Sequence, residues 1–280
     1  MRERVVLDGQ CLTALPDEVL HNNNLRELHV DRNRLEQLPI GDWPRIEVLH
    51  ARMNAIGSLP DDIWKLQTLT DLRAGGNRLT EVPESLWSLR RLRTLDLSES
   101  HISSIAEDLG ELTQLRMLDL GHNQIDELPS LANLTEMRVL YVHDNRLEQL
   151  PNSIAKLHRL TYLNAGGNKL MLLPPLDGLH ELMELKLEGN PMLVLPDWIG
   201  DLPNLRELHL RNTEIDTLPD SVAKLSRLHH LDLRGNRFST LPDVITRLPR
   251  LEKLDLRWNK IWDVPPWLAQ LEHRGVRVLR

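Results

Sequence analysis

The chain has little of what usually marks a specialised chemistry. Cys11 is the single cysteine in 280 residues, which excludes an intrachain disulfide and a cysteine-built metal cage. Phenylalanine occurs once and tyrosine twice, so the core must be aliphatic. No stretch approaches the roughly 18 apolar residues that a membrane-crossing helix needs, and no span is expected. The opening MRERVVLDGQ carries charge but no apolar signal region. A cytoplasmic protein is therefore expected, with delivery by a specialised secretion route left open. Basic tracts are missing too. Lys and Arg number 34 against 41 acidic residues, a net charge of −7, which argues against a nucleic-acid partner.

What the chain does have is leucine, and 17 prolines that recur at regular intervals. The frame LxxLxLxxNxL fits Leu25/Leu28/Val30/Asn33/Leu35, then Ile46/Leu49/Ala51/Asn54/Ile56, then Leu69/Leu72/Ala74/Asn77/Leu79. Its Asn position recurs at Gln10, Asn33, Asn54, Asn77, Ser100, Asn123, Asn145, Asn168, Asn190, Thr213, Asn236 and Asn259. Such self-similarity marks a stack of small units, each unable to bury its apolar face alone. The period-two start of each unit predicts a short strand. The Asn predicts a bend, because its side chain can bond backbone groups that a turn leaves unpaired. The Pro that follows, as at Pro60, Pro83 and Pro151, is expected at the first position of a short helical turn. The IxxL spacing after it, as in Ile63/Leu66 and Ile154/Leu157, faces one side of that turn.

These residues resemble the leucine-rich-repeat family, in its 23-residue class with LxxLPxxIxxL on the convex side, found in Ras-suppressor-type and many bacterial repeat proteins. The resemblance covers the whole chain. It implies an α/β right-handed solenoid (horseshoe) of about 12 repeats, with a parallel β-sheet on the concave face and short helical or 3-10 turns on the convex face. A single domain over 1–280 is expected: an N-terminal capping repeat at 1–24, regular repeats at 25–262 and a C-terminal capping half repeat at 263–280. Trp258, Trp262 and Trp267 are expected to seal the last coil. Trp64, Trp87 and Trp198 should cover the convex side, where a second binding surface is an alternative. Ser100 and Ala106 replace the usual Asn and Pro in one unit, which predicts a softer seam near 98–107. The family's usual role implies a non-catalytic scaffold or adaptor binding a partner protein on the concave face.

Alternate strand residues face opposite ways, so the open face can be read off the sequence. Its centre gathers Met117, Val139, Tyr141 and Tyr162, with Asp119, His122, His143 and Asn164 around them. An apolar patch with a polar rim marks an interaction surface, and this is the candidate partner site. Flanking charges form secondary rows: Arg73, Asp96 and Glu99 on one side, and Arg211, Asp232, Arg234, Asp255 and Arg257 on the other. They read either as a self-neutralising ladder of exposed pairs or as a surface that steers a charged partner. The glycine pairs of Ala74–Asn77 and Ala165–Asn168 enter the Asn turn of a repeat, whereas a phosphate loop needs its glycines to enter a real helix N-terminus. They read as smooth spots on the rim with room for a partner's protruding group.

Six histidines fall on the open face: His29, His50, His122, His143, His209 and His230. Two adjacent histidines are short of the four ligands of a structural zinc site, so no metal and no cofactor are expected. No nucleophile–base arrangement follows a catalytic template, and no enzyme is expected. One alternative is a bacterial effector or regulator that binds host or kinase-type signalling proteins. Another is a metal- or pH-dependent sensor that uses the histidines. A monomer is expected, with self-association through a sheet edge or the Trp-rich C-terminus as the rival.

Overall fold

The computed structural model describes residues 2–280. These divide into two compact units, 2–145 and 146–280. The first unit carries β1 (Arg4–Val6), β2 (Glu27–His29), β3 (Val48–His50), β4 (Asp71–Arg73), β5 (Thr94–Asp96), β6 (Met117–Asp119) and β7 (Val139–Tyr141). The second carries β8 (Tyr162–Asn164), β9 (Glu184–Lys186), β10 (Glu207–His209), β11 (His230–Asp232), β12 (Lys253–Asp255) and β13 (Arg277–Leu279). Within each unit the strands pair in parallel and in chain order.

Each strand has three residues because only the central one must be buried. Leu28, Leu72, Leu118 and Leu208 point into the core and are fully buried, while their two neighbours face the open side. Identical registers stack these leucines in a column, as in Leu28↔Leu49↔Leu72. Ile63/Leu66 and Ile154/Leu157 close the core from the other side. The rows expected from the frame are the rows observed.

Asn holds the bend. The Asn123 amide donates to Leu97 O at 3.0 Å and Leu120 O at 3.1 Å, and its Oδ1 accepts Ile102 N–H at 3.0 Å. Asn33, Asn77 and Asn236 repeat the pattern. One side chain thus satisfies backbone groups of two successive coils, which a buried bend requires. The residue before it takes a left-handed conformation in coil after coil: Arg32 (φ 57°), Gly76 (69°), His122 (54°), Asp144 (51°), Gly167 (63°), Gly235 (64°) and Trp258 (64°). Glycine fits there without strain and the other residues adopt it at a cost.

That conformation accounts for the second glycine of each AGGN. The first is explained by its neighbour, and here the expectation of open space fails. A Cβ on Gly75 would lie 2.6 Å from both Asp96 Oδ1 and Ser98 Oγ, and one on Gly166 would lie 3.1 Å from Glu188 Cγ. The space is filled from the next coil, so these are not smooth spots awaiting a partner.

Proline sits one residue earlier than expected. Pro60, Pro83, Pro151, Pro196, Pro219 and Pro242 are N-caps of 3-10 turns, with ψ near 140°. Each leaves its carbonyl to accept the first bond of the turn, as Ile63 N–H does to Pro60 O at 3.0 Å. Ala106 takes the same extended conformation and caps the turn Glu107–Glu111, so the degenerate unit keeps its shape. The shortened units do not: no helical turn lies between β2 and β3, β6 and β7, or β8 and β9 among the described residues.

The helices α1 (Asp17–Leu20) and α2 (Trp267–His273) cover the turn side near the two ends. Leu268, Leu271 and Val276 make the last coil's buried contacts, whereas Trp258 and Trp262 are 65% and 76% exposed. The tryptophan seal is therefore corrected to an aliphatic one. Trp87 is buried on the turn side as expected, but Trp64 is half exposed. Trp43, not anticipated, is buried and donates to Val19 O at 2.8 Å.

Candidate binding face

In the first unit, register pairs Met117 with Val139 and Asp119 with Tyr141. All four are half-buried on the open face. Their strands are fixed on both sides by paired neighbours or core leucines, so the side chains are presented with little freedom to lose. His143 follows β7 and makes an edge contact with Tyr141, centroids 5.9 Å apart. His122 meets His143 edge-on at 4.8 Å, and its Nδ1 lies 3.4 Å from Asp144 Oδ2. The His143 ring occupies the space above Gly121, where a Cβ would stand 2.3 Å from Cε1. Gly121 and Asp144 were not singled out in the sequence. Glycine at that position is what lets the neighbouring coil's imidazole lie flat.

Asp119 accepts Gly121 N–H at 3.0 Å. Burial, against that bond, and the neighbouring Asp96 carboxylate push its pKa up to about 6. Asp96 itself is buried and already engaged: Oδ1 accepts Ser98 N–H and Oγ–H at 3.1 and 2.7 Å, and Oδ2 lies 3.1 Å from Arg52 Nε. Arg52 belongs to the coil of β3, so it reaches across the coil of β4, where Gly75 presents no side chain. Of the three acidic residues Asp96, Glu99 and Asp119, only Glu99 is exposed. Arg73 is turned onto Asp71, with bonds of 3.0 and 3.1 Å.

The other expected residues lie in the second unit. Tyr162 pairs in register with Glu184 and Asn164 with Lys186. Lys186 Nζ sits 5.2 Å from the Tyr162 ring centroid and 2.9 Å from Glu184 Oε1. Farther along, the charged row proves to be buried on its acidic side. Asp232 and Asp255 are each 1% exposed. Arg234 Nε lies 2.8 Å from Asp232 Oδ1, and Arg257 Nε lies 2.9 Å from Asp255 Oδ1. Burial raises the Asp232 pKa, but the hydrogen bonds from Arg234 outweigh it and the net shift is downward. The ladder of exposed pairs is thus corrected to carboxylates folded under their arginines. Arg211 and Arg257 flank the exposed Trp258 ring, at 5.6 and 5.5 Å from its centroid.

One apolar surface was missed. Met171, Leu172, Leu193 and Val194 are all more than half exposed on successive coils, off the strand face. The frame reads these positions as turn, which is why it gave no signal.

Strands on one side, turns on the other and an Asn ladder between them define a repeat solenoid that presents an open sheet. The chain belongs to the leucine-rich-repeat family: a family profile described as "Leucine-rich repeat region" matches residues 10–120 and 85–191, and one described as "Leucine rich repeat" matches 203–261. Among solved structures, a leucine-rich-repeat protein of Leptospira interrogans is 28% identical, with a TM-score of 0.76 over 97% of this chain and 75% of that one. The internalin inlF of Listeria monocytogenes superposes with a TM-score of 0.87 at 21% identity, covering 99% of this chain and 86% of that one. The ectodomain of the Arabidopsis thaliana membrane receptor kinase GASSHO1/SCHENGEN3, solved in complex with CASPARIAN STRIP INTEGRITY FACTOR 2, is 27% identical with a TM-score of 0.79. This chain is covered over 95% of its length there but spans only 36% of that ectodomain. No curated protein sequence matches the chain closely. Among the described residues no helix is long and apolar enough to cross a membrane.

Proposed function

We propose that the chain is a non-catalytic protein-binding module whose contact is centred on Met117, Val139 and Tyr141 of the first unit, with Asp119, His122 and His143 at the rim. One observation carries the reading. Apolar and aromatic side chains stand half-exposed on β6 and β7, at positions that β4 and β9 fill with the bonded charged pairs Asp71–Arg73 and Glu184–Lys186. Tyr and Met are enriched at the cores of interfaces, where truncation is most damaging. The receptor ectodomain solved with its bound partner supports the reading by analogy of fold. We take 1–280 as one repeat domain with its ends as caps, acting as a monomeric scaffold or adaptor. A cytoplasmic setting fits a chain whose single cysteine leaves no intrachain disulfide to form.

The test uses the full chain as bait in a lysate of its source. Met117→Asp with Tyr141→Asp is compared with wild type and with Arg257→Ala, circular dichroism confirming that each is folded. The expected result is a partner held by wild type and by Arg257→Ala and lost from the double variant, a fall in affinity of about 30-fold or more. Equal retention by all three baits rejects this face.

A further inference from the structure

We propose that Glu207, His209 and His230 form a binding site for a single divalent transition-metal ion of the zinc class. The site lies wholly in the second unit and is independent of the partner contact above. Glu207 and His209 flank Leu208 on β10 and so share the open face. His230 on β11 is the register partner of Glu207. His209 Nε2 lies 3.1 Å from Glu207 Oε2, and His230 Nδ1 lies 3.5 Å from the same oxygen. One ligand atom from each residue falls within 4.8 Å of the others.

The spacing suits the ion. Zinc–nitrogen and zinc–oxygen distances of about 2.0–2.1 Å place tetrahedral ligands about 3.3 Å apart. Two edges of the triangle already have nearly that length, so small rotations of the imidazoles complete it. The donor set, two imidazoles and one carboxylate, suits zinc with its fourth position open to water. Two histidines alone were too few; the carboxylate between them is what the register adds.

The surroundings favour the ligating forms. Both histidines are largely buried, and their rings meet edge-on at 4.9 Å. Burial, His209 and Lys253 lower the His230 pKa, the direction that favours the neutral imidazole a metal ligand must be. Glu184 Oε1 lies 3.7 Å from His209 Nε2 but is held by Lys186 at 2.9 Å. Asp232, in register with His209, is held by Arg234. These neighbouring charges are thereby paired among themselves. The cluster His122, His143 and Asp144 also comes within ligand reach, but His122 and Asp144 are about half exposed and lack this preorganisation.

Calorimetric titration of the metal-free full chain with zinc chloride, and optical titration with cobalt chloride, test the site. The expected result is one ion per chain, visible cobalt bands of a low-coordinate site, and a zinc affinity reduced tenfold or more in both His209→Gln and His230→Gln. His122→Gln with His143→Gln should leave it unchanged. If a histidine variant is misfolded by circular dichroism, Glu207→Gln, on the more exposed ligand, takes its place with the same expectation. No zinc heat and no cobalt bands in wild type overturn the proposal. So does binding that survives these substitutions or is lost in the His122/His143 variant.

Discussion

Asp119 and Asp232 occupy the same strand position in two different coils, yet the fold treats them in opposite ways. Each accepts the backbone N–H two residues on, at 3.0 Å from Gly121 and 3.1 Å from Arg234. Asp232 then receives the Arg234 side chain as well, and its pKa is lowered. Asp119 has a glycine there, with the His143 ring above it, and burial pushes its pKa up to about 6. One side chain, two residues away, decides whether a strand-face carboxylate is neutralised within the coil or left carrying its desolvation cost. The first unit keeps an uncompensated group beside Tyr141. The second pairs Asp232 and Asp255 with Arg234 and Arg257. The former suits a binding face, because groups already paired have less to gain from a partner.

The largest test of this contrast is Asp119→Asn. The wild-type carboxyl holds its proton more tightly folded than unfolded, so stability falls as pH rises from about 4 through about 6. Removing the ionisation should raise stability above pH 6 by up to about 3 kcal/mol and leave it unchanged below pH 4. Urea unfolding at pH 4 and pH 7.5 checks both halves, and an equal effect at the two values contradicts the assignment. Asp232→Asn should have the opposite sign. Its depressed pKa contributes stability above about pH 4 that disappears as pH falls further. The variant should lose about 2 kcal/mol at pH 7 through its weakened bonds to Arg234, and the gap should close on acidification. Gly75→Ala probes, in the β4 coil, the position that Gly121 and Arg234 occupy in theirs, two residues before the Asn. Its Cβ would press on Asp96 and Ser98 at 2.6 Å, and a loss of about 1.5 kcal/mol is expected from the forced shift. A thermal melt no different from wild type would show that Asp96 and Ser98 yield freely.

Most of the architecture was legible because the repeat writes it many times. The spacing of leucine and asparagine placed the strands, the bends and the open rows, and the observed registers follow them residue for residue. The face was legible only as a list of residues, since a one-dimensional frame shows which side a group points to and not what it touches. Arg52 reaches Asp96 across an intervening coil, and no local pattern announces a contact at that separation. Gly75 and Gly166 were read as absences of side chain, whereas the space at each is occupied by a group from the next coil. The carboxylates of the charged row were read as exposed because charge in sequence implies exposure; stacking arginine over them buries them instead. Proline was misplaced by one position, because φ near −65° suits an extended N-cap as well as a first helical residue.

The smallest effect concerns two of the coils whose Asn is replaced, those of Ser100 and Thr213. Thr213 preserves part of the ladder: its Oγ1 donates to Leu210 O at 2.9 Å and its N–H reaches Asn236 Oδ1 at 2.9 Å. Ser100 is buried, and its Oγ has no hydrogen-bond partner. Serine is too short to span the bend that Asn123 spans to Leu97 O and Leu120 O. Ser100→Asn should therefore restore bonds to Leu97 O and Ala74 O, the positions equivalent to those used by Asn123. A gain of about 1 kcal/mol is expected, larger than that of Thr213→Asn, where fewer bonds are missing. Urea midpoints of both variants check the ranking. An equal gain at the two sites would mean that the lost bonds are not what separates these coils. A loss at Ser100 would mean that the coil has closed around serine and no longer accepts the amide.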